Sequence, residues 1–261
     1  MITVDFLLVN IHPFLDKLFF DVLINFLRIG PKDIELWAND PKEYIYAIDC
    51  CYDVHIRLKA TAKDLIAKIC TTNHPNGNLF LFEFINFACS CFDTKINPRT
   101  QAEVDPGFQD ALLHCFLCLR SQIVKQESIL GQMETILTRA VIPLLTTDQN
   151  FLKFRACSVF QIFGNIEFDS IENLSAACSG ICQCMLNPDL PVKFMATCAL
   201  QMILVQDNSV DILRGNMKDI MGIILEVMKE VDHSDIVACL EYVIGRYNKD
   251  IGPFAYDLVD Q

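Results

Sequence analysis

At 261 residues the chain is long enough for one large domain or an array of small repeats, and 52% hydrophobic against 21% charged residues excludes disorder. Its 33 acids outnumber 21 bases for a net charge of −12, which disfavours direct binding to a phosphate backbone and would attract a basic partner. The 13 cysteines are odd in number, follow no signal peptide and lie in apolar stretches, so they read as reduced, buried thiols rather than a disulfide scaffold.

The opening run MITVDFLLVNIHPFLDKLFFDVLINFLRIG contains Asp5, Asp16, Lys17 and Asp21. It therefore lacks the uncharged stretch of about 18 residues that a membrane span needs, and no membrane insertion is expected. It reads as a core helix, bent or broken near His12-Pro13. A helix starting almost at Met1 suggests a domain that begins further upstream. ELWANDPKEYI follows, a mostly polar break over residues 35–45 that holds the single tryptophan, Trp37. Asp40 fits an N-cap there, Pro41 the first helical position and Glu43 the acid of a capping box. Two readings of Trp37 are open. Its ring packs over the end of a helix pair, or it makes a loop contact on a concave binding face beside Glu35 and Asp40.

Beyond it, helical stripes alternate with short turns. Leu112, Cys115, Phe116 and Leu119 share one face, as do Met195, Cys198, Ala199, Met202 and Ile203. Met217, Ile220, Met221, Ile224, Leu225 and Met228 continue the rule. Turn chemistry marks NHPNGN at 73–78, NPDLP at 187–191 and VDHSD at 231–235, with a longer break from Asp93 to Gly107. In that third turn Asp232 or Ser234 would cap the helix that follows, and Asp235 would stabilise its first turn.

The helices come in pairs of recurring form: VIPLLTTDQNFLKFRACSVF, CQCMLNPDLPVKFMATCALQ and ILEVMKEVDHSDIVACLEYV. In each, a turn containing Asp joins two helices, and the second carries an alanine: Ala156, Ala196 and Ala238, 40 and 42 residues apart. Ala62 and Ala111 extend the series at wider spacing. Helix pairs repeating every 40–47 residues or so are the HEAT/armadillo period. One hairpin cannot bury both its faces, so hairpins stack into a continuous core. The expected fold is all-α, a HEAT/armadillo-type superhelix of antiparallel helix pairs. It would be a single array over residues 1–261, about five to six repeats by that period, and part of a longer solenoid.

The chain offers no catalytic constellation and no cofactor-binding motif. Cys115 and Cys118 form a lone CxxC, and Cys178, Cys182 and Cys184 a cluster, all on apolar helix faces rather than in a zinc ribbon. The five histidines show no metal-ligand spacing. No metal, cofactor or enzymatic site is expected; an enzyme would have to assemble its site from scattered residues. Solenoids instead bind partners along an extended surface. Residues 159–261 hold 15 acids against 6 bases, so that half best suits a basic partner. Asp232, Asp235 and Glu241 are candidate contacts there, as are Glu35, Trp37, Asp40 and Glu43 upstream. The plainer reading is that acidity keeps the surface soluble and that individual acids cap helices.

ELWANDPKEYI, FRACSVFQIFGNIEF, LPVKFMATCALQMIL and the tail YNKDIGPFAYDLV together resemble the importin-β-type nuclear transport receptors of the importin-seven/importin-eight branch, in the same order. The resemblance spans nearly the whole chain but corresponds to a central portion of such a receptor. Ser158 stands where relatives commonly have tryptophan, and the segment before Trp37 is less acidic than usual. The resemblance implies HEAT repeats, nuclear protein import of basic cargo such as ribosomal proteins or histones, contacts with phenylalanine-glycine nucleoporins, and release by Ran-GTP. It also implies shuttling between cytoplasm and nucleus through the pore. The principal Ran-binding repeats have no counterpart here. The alternative is a HEAT-repeat scaffold with no transport cycle.

Overall fold

A computed structural model describes residues 14–47, 54–71 and 79–248, apart from the side chains of 54–57 and 79. The expected bend at His12-Pro13, the NHPNGN turn and the YNKDIGPFAYDLV tail beyond Asn248 lie outside the described residues. Those residues are helical, and their only extended pairing is a single antiparallel bridge between Ile96 and Glu103. The fold class is all-α, of the HEAT/armadillo type. The chain divides into two compact units, one comprising residues 1–35 and 46–131, the other 36–45 and 132–261.

In the first unit, α1 is π-helical over Leu18–Leu23 and α-helical over Ile24–Phe26. The π turn was not legible from spacing. Helix α2 (Pro31–Asn39) and helix α3 (Pro41–Ala47) are shared between the units. Then come α4 (Val54–Thr71), α5 (Leu79–Thr94), α6 (Pro106–Cys118), α7 (Arg120–Ile123) and α8 (Glu127–Leu130). Helix α6 packs on α1, α4 and α5. Phe19, Phe20, Phe84, Phe87 and Phe108 are buried and meet largely edge-to-face, the geometry aromatic quadrupoles favour. Buried Asp110 and His114, one turn apart on α6, hold the end of α1. Asp110 accepts the Ile29 N–H at 3.0 Å, and His114 Nδ1 lies 3.3 Å from the Leu27 carbonyl oxygen.

The break between α5 and α6 is a compact loop. Lys95 and Gln101 take left-handed backbone angles (φ 57° and 59°) without being glycine, which closes it tightly. Arg99 ties it to α1, donating to both carboxylate oxygens of Asp16 (3.1 and 2.6 Å) and lying 4.7 Å over the Phe20 ring. At its far end Asp105 caps α6 by accepting the Phe108 N–H at 2.9 Å, and pairs with Arg28.

The second unit is more regular. Helix α9 (Met133–Ile136) runs on through a π turn (Leu137–Val141) and a 3₁₀ turn (Ile142–Thr146). It pairs with α10 (Asn150–Phe163), and α11 (Ile171–Met185) pairs with α12 (Leu190–Ile203). Finally α13 (Asp207–Leu213) and α14 (Met217–Glu230) precede α15 (Ser234–Arg246). The second helices stack, α10 on α12 on α15.

Hydrogen bonds between successive pairs fall at the sequence period. Cys184 Sγ–H donates to the Leu145 carbonyl and Asn173 Nδ2 to Glu134, each spanning 39 residues. Gln206 reaches the Gly164 carbonyl and Cys239 that of Thr197, each over 42 residues. Ala156 and Ala196 are fully buried at the helix contacts, and Ala238 is half-buried. Gly180 sets another close approach: a Cβ there would lie 2.7 Å from Leu145 Cδ1 and 2.9 Å from Leu145 Cβ. Ser158, in the position expected to differ from relatives, is buried and donates to the Phe154 carbonyl at 2.9 Å.

Candidate partner-binding site

Trp37 is not in a turn, contrary to the expectation from its polar neighbours. It occupies the last turns of α2, which closes with the Asp40 N–H on the Leu36 carbonyl. Helix α3 then starts as expected, with Pro41 first and Asp40 Oδ1 accepting the Glu43 N–H at 2.9 Å. The capping box is one-sided, because the Asp40 N–H that Glu43 would have reached is already bonded to Leu36.

Residues 36–45 belong to the second unit, and Trp37 is their anchor. Its ring meets Phe154 edge-on with centroids 5.4 Å apart and lies 4.7 Å from Tyr44, which itself meets Phe154 at 5.8 Å. The indole N–H donates to Asp189 Oδ2 at 2.9 Å. The same oxygen accepts Asn150 Nδ2 at 3.1 Å, and Asn187 Nδ2 reaches Asn150 Oδ1 at 3.2 Å. Asp189 stands at the N-cap position of α12 without capping it by its side chain. Its Oδ1 is buried and has no hydrogen-bond partner among the described residues.

Of the other residues picked out by sequence, Glu35, Asp40 and Glu43 are exposed on α2, its junction and α3. Asp232 and Glu241 are exposed on either side of the α15 start. Asp235 is half-buried and accepts Gln161 Nε2 at 3.1 Å. Neither Asp232 nor Ser234 provides the cap: His233 does, its Nδ1 accepting the Asp235 N–H at 3.2 Å, with its ring edge-on to Phe194. Sequence reasoning missed Asp189, Asn150, Asn187 and Phe154. The available signal was the repeat register, since Asn150 and Asp189 occupy matching turns 39 residues apart.

The cysteines form no disulfide among the described residues. Burial pushes Cys70 and Cys178 up to about 12 and Cys115 well above the ordinary thiol value, which keeps them protonated and poor nucleophiles. Cys184 is the exception, shifted down by its hydrogen bond with Cys157. Among the described residues no group of three or more His, Cys, Asp or Glu could hold a metal ion, and no helix is long and apolar enough to cross a membrane. A shallow groove of about 470 Å³ lies beside Glu134, Thr138 and Asn173. Burial there raises the Glu134 pKa, but three hydrogen bonds, from Asn173 and the Asp169 and Ser170 N–H groups, outweigh it. That carboxylate serves the start of α11.

Comparison with known proteins converges on one family. The chain is 27% identical over 251 residues to the probable importin-7 homolog of Dictyostelium discoideum, covering 96% of this chain and 23% of that protein. It is 24% identical to human importin-8 over 95% of its own length, and 23% identical to the importin beta-like SAD2 homolog of Arabidopsis thaliana over 95%. The chain is thus similar to importin-7/importin-8 proteins along nearly its whole length. No family model and no solved structure matches. The chain spans less than a quarter of the length of these relatives. The candidate site lies in the second unit, where the helix pairs repeat most regularly.

Proposed function

We propose that this chain is part of a nuclear transport receptor and binds basic cargo proteins non-covalently through its acidic helical repeats. The observation that carries the reading is the similarity to importin-7/importin-8 proteins along almost the entire chain. The net charge of −12 supports a basic partner of the ribosomal-protein or histone kind. The repeats form one array over residues 1–261, a central portion of a longer solenoid. The receptor shuttles between cytoplasm and nucleus, contacts phenylalanine-glycine nucleoporins and is unloaded by Ran-GTP. Binding, rather than catalysis, is the activity.

A pull-down of a basic ribosomal protein or histone on the 261-residue chain tests this, with Ran-GTP added to the bound complex. Salt-sensitive capture that Ran-GTP reverses is expected of a receptor. Failure to capture basic proteins sinks the cargo reading. The second reading is a HEAT-repeat scaffold with no transport cycle. Capture that Ran-GTP does not reverse counts against complete-receptor function for this chain and leaves cargo binding by a receptor portion standing.

A further inference from the structure

Residues 36–45 are a ten-residue excursion: they belong to the second unit, while the chain on both sides belongs to the first. Their hold on the second unit includes the Trp37 N–H on Asp189, the rings of Trp37 and Tyr44 on Phe154, and buried Ile45. Ala38, Asn39, Asp40, Lys42 and Glu43 are exposed.

Beneath them Asp189 is poorly served. A carboxylate offers about four acceptor positions and is best satisfied by cationic donors. Asp189 receives two neutral donors, the indole and the Asn150 amide, both on Oδ2. Its Oδ1 is closed off without a partner among the described residues. A half-served carboxylate under an indole that also packs on the Phe154 ring is what a guanidinium fits. The planar fork can bond both carboxylate oxygens at once, and its face can lie on an aromatic ring.

We propose that the 36–45 segment is a displaceable strap over an arginine-binding subsite made by Asp189, Asn150 and Phe154. The proposal rests on the basic-partner reading above. In the strapped state the Trp37 N–H occupies the acceptor that the partner's arginine needs. Partner binding lifts Trp37, and the guanidinium replaces a neutral donor with a charged, bidentate one. Because the strap must open first, the apparent affinity is reduced by the fraction of molecules in which it is closed.

Trp37 is the only tryptophan, so its fluorescence reports the strap directly. A dye-labelled nona-arginine peptide is titrated onto the 261-residue protein. Peptide anisotropy and Trp37 emission are followed together, with acrylamide quenching at each end-point. Binding should red-shift Trp37 and open it to acrylamide. Asp189→Asn keeps an oxygen for the indole N–H but removes the charge, so the strap stays docked while affinity drops by about tenfold or more. Trp37→Phe keeps ring packing but removes the competing donor, so the peptide should bind several-fold tighter, on the order of the loss of one hydrogen bond. Circular dichroism confirms that each variant is folded. Peptide binding with Trp37 emission and quenching unchanged overturns the strap and leaves the basic-partner reading standing. A Trp37→Phe protein that binds no tighter also overturns it. No binding by any form overturns both.

Discussion

The two units solve the same packing problem differently. In the second, successive helix pairs are joined by hydrogen bonds that recur at intervals of 39 and 42 residues, and small residues sit where helices approach. In the first, an irregular loop is held by charge. Arg99 clasps Asp16 across 83 residues and Arg28 clasps Asp105 across 77. A repeated sequence reproduces its contacts automatically, because each pair meets the next in the same register. An irregular connection has no such template and relies on individual long-range tethers. The second unit should therefore fail through packing, and the first through loss of single polar ties.

The largest effect is expected from Phe160→Ala in the second unit. Phe160 is fully buried on α10, and deleting such a ring leaves a cavity costing about 3–5 kcal/mol. Urea unfolding followed by far-ultraviolet circular dichroism reads it, since the unit is helical. A loss under about 1 kcal/mol would mean that the helix stack collapses around the gap and is less tightly templated than its register implies. Gly180→Ala attacks the same unit from the opposite side by overpacking. The added methyl meets the Leu145 side chain at 2.7 and 2.9 Å, and the Cβ contact cannot be relieved by rotating a terminal methyl. About 1–3 kcal/mol should be lost. A neutral result would show that α11 and the 3₁₀ turn can move apart freely.

This contrast also explains what was legible in the sequence. The repeats showed because close helix contacts demand small residues, and Ala156 and Ala196 mark them at a fixed interval. Asp40 and Pro41 showed because capping is local chemistry. Trp37 was misplaced because the same Asp-Pro signal made its surroundings look like a turn, when α2 runs up to Asn39. Its partner Asp189 lies 152 residues away, and no local pattern announces such a pair. The cap on α15 was assigned to Asp232 or Ser234 from the residue types that favour that position. An imidazole nitrogen does the work instead, since His233 stands directly ahead of the helix.

Asp105 tests the first unit's dependence on polar ties. Burial raises its pKa, but the Arg28 guanidinium and the Phe108 N–H outweigh this and hold it below its ordinary 3.8. A carboxyl depressed in the folded state stabilises the fold above its unfolded pKa, and that contribution disappears as pH falls through the folded value. Asp105→Ala should cost about 1 kcal/mol at neutral pH, mainly through the lost cap. The difference from the parent protein should shrink below about pH 4, once the parent's carboxyl begins to protonate. A difference that stays constant down to pH 2 or so would assign the loss to packing rather than to the ionised carboxylate.

The smallest global effect, and the most localised, belongs to Arg99. Its pairing with Asp16 is partly exposed, with about a third of the arginine side chain accessible, so solvent screening limits its value to about 1 kcal/mol or less. Arg99→Met keeps much of the apolar stem over Phe20 and removes the fork. Arg99→Lys keeps the charge but cannot bond both oxygens of Asp16. Neither should move the unfolding midpoint far. The loop amides of Asn97, Gln101 and Val104 bond within residues 95–104, so they report loop opening separately from global unfolding. Their hydrogen exchange should speed by up to about fivefold in Arg99→Met, the equivalent of roughly 1 kcal/mol concentrated in one local opening. Arg99→Lys should fall in between. If these amides exchange at the parent rate in both variants, the left-handed residues Lys95 and Gln101 hold the loop unaided, and the first unit is less dependent on its tethers than the second is on its register.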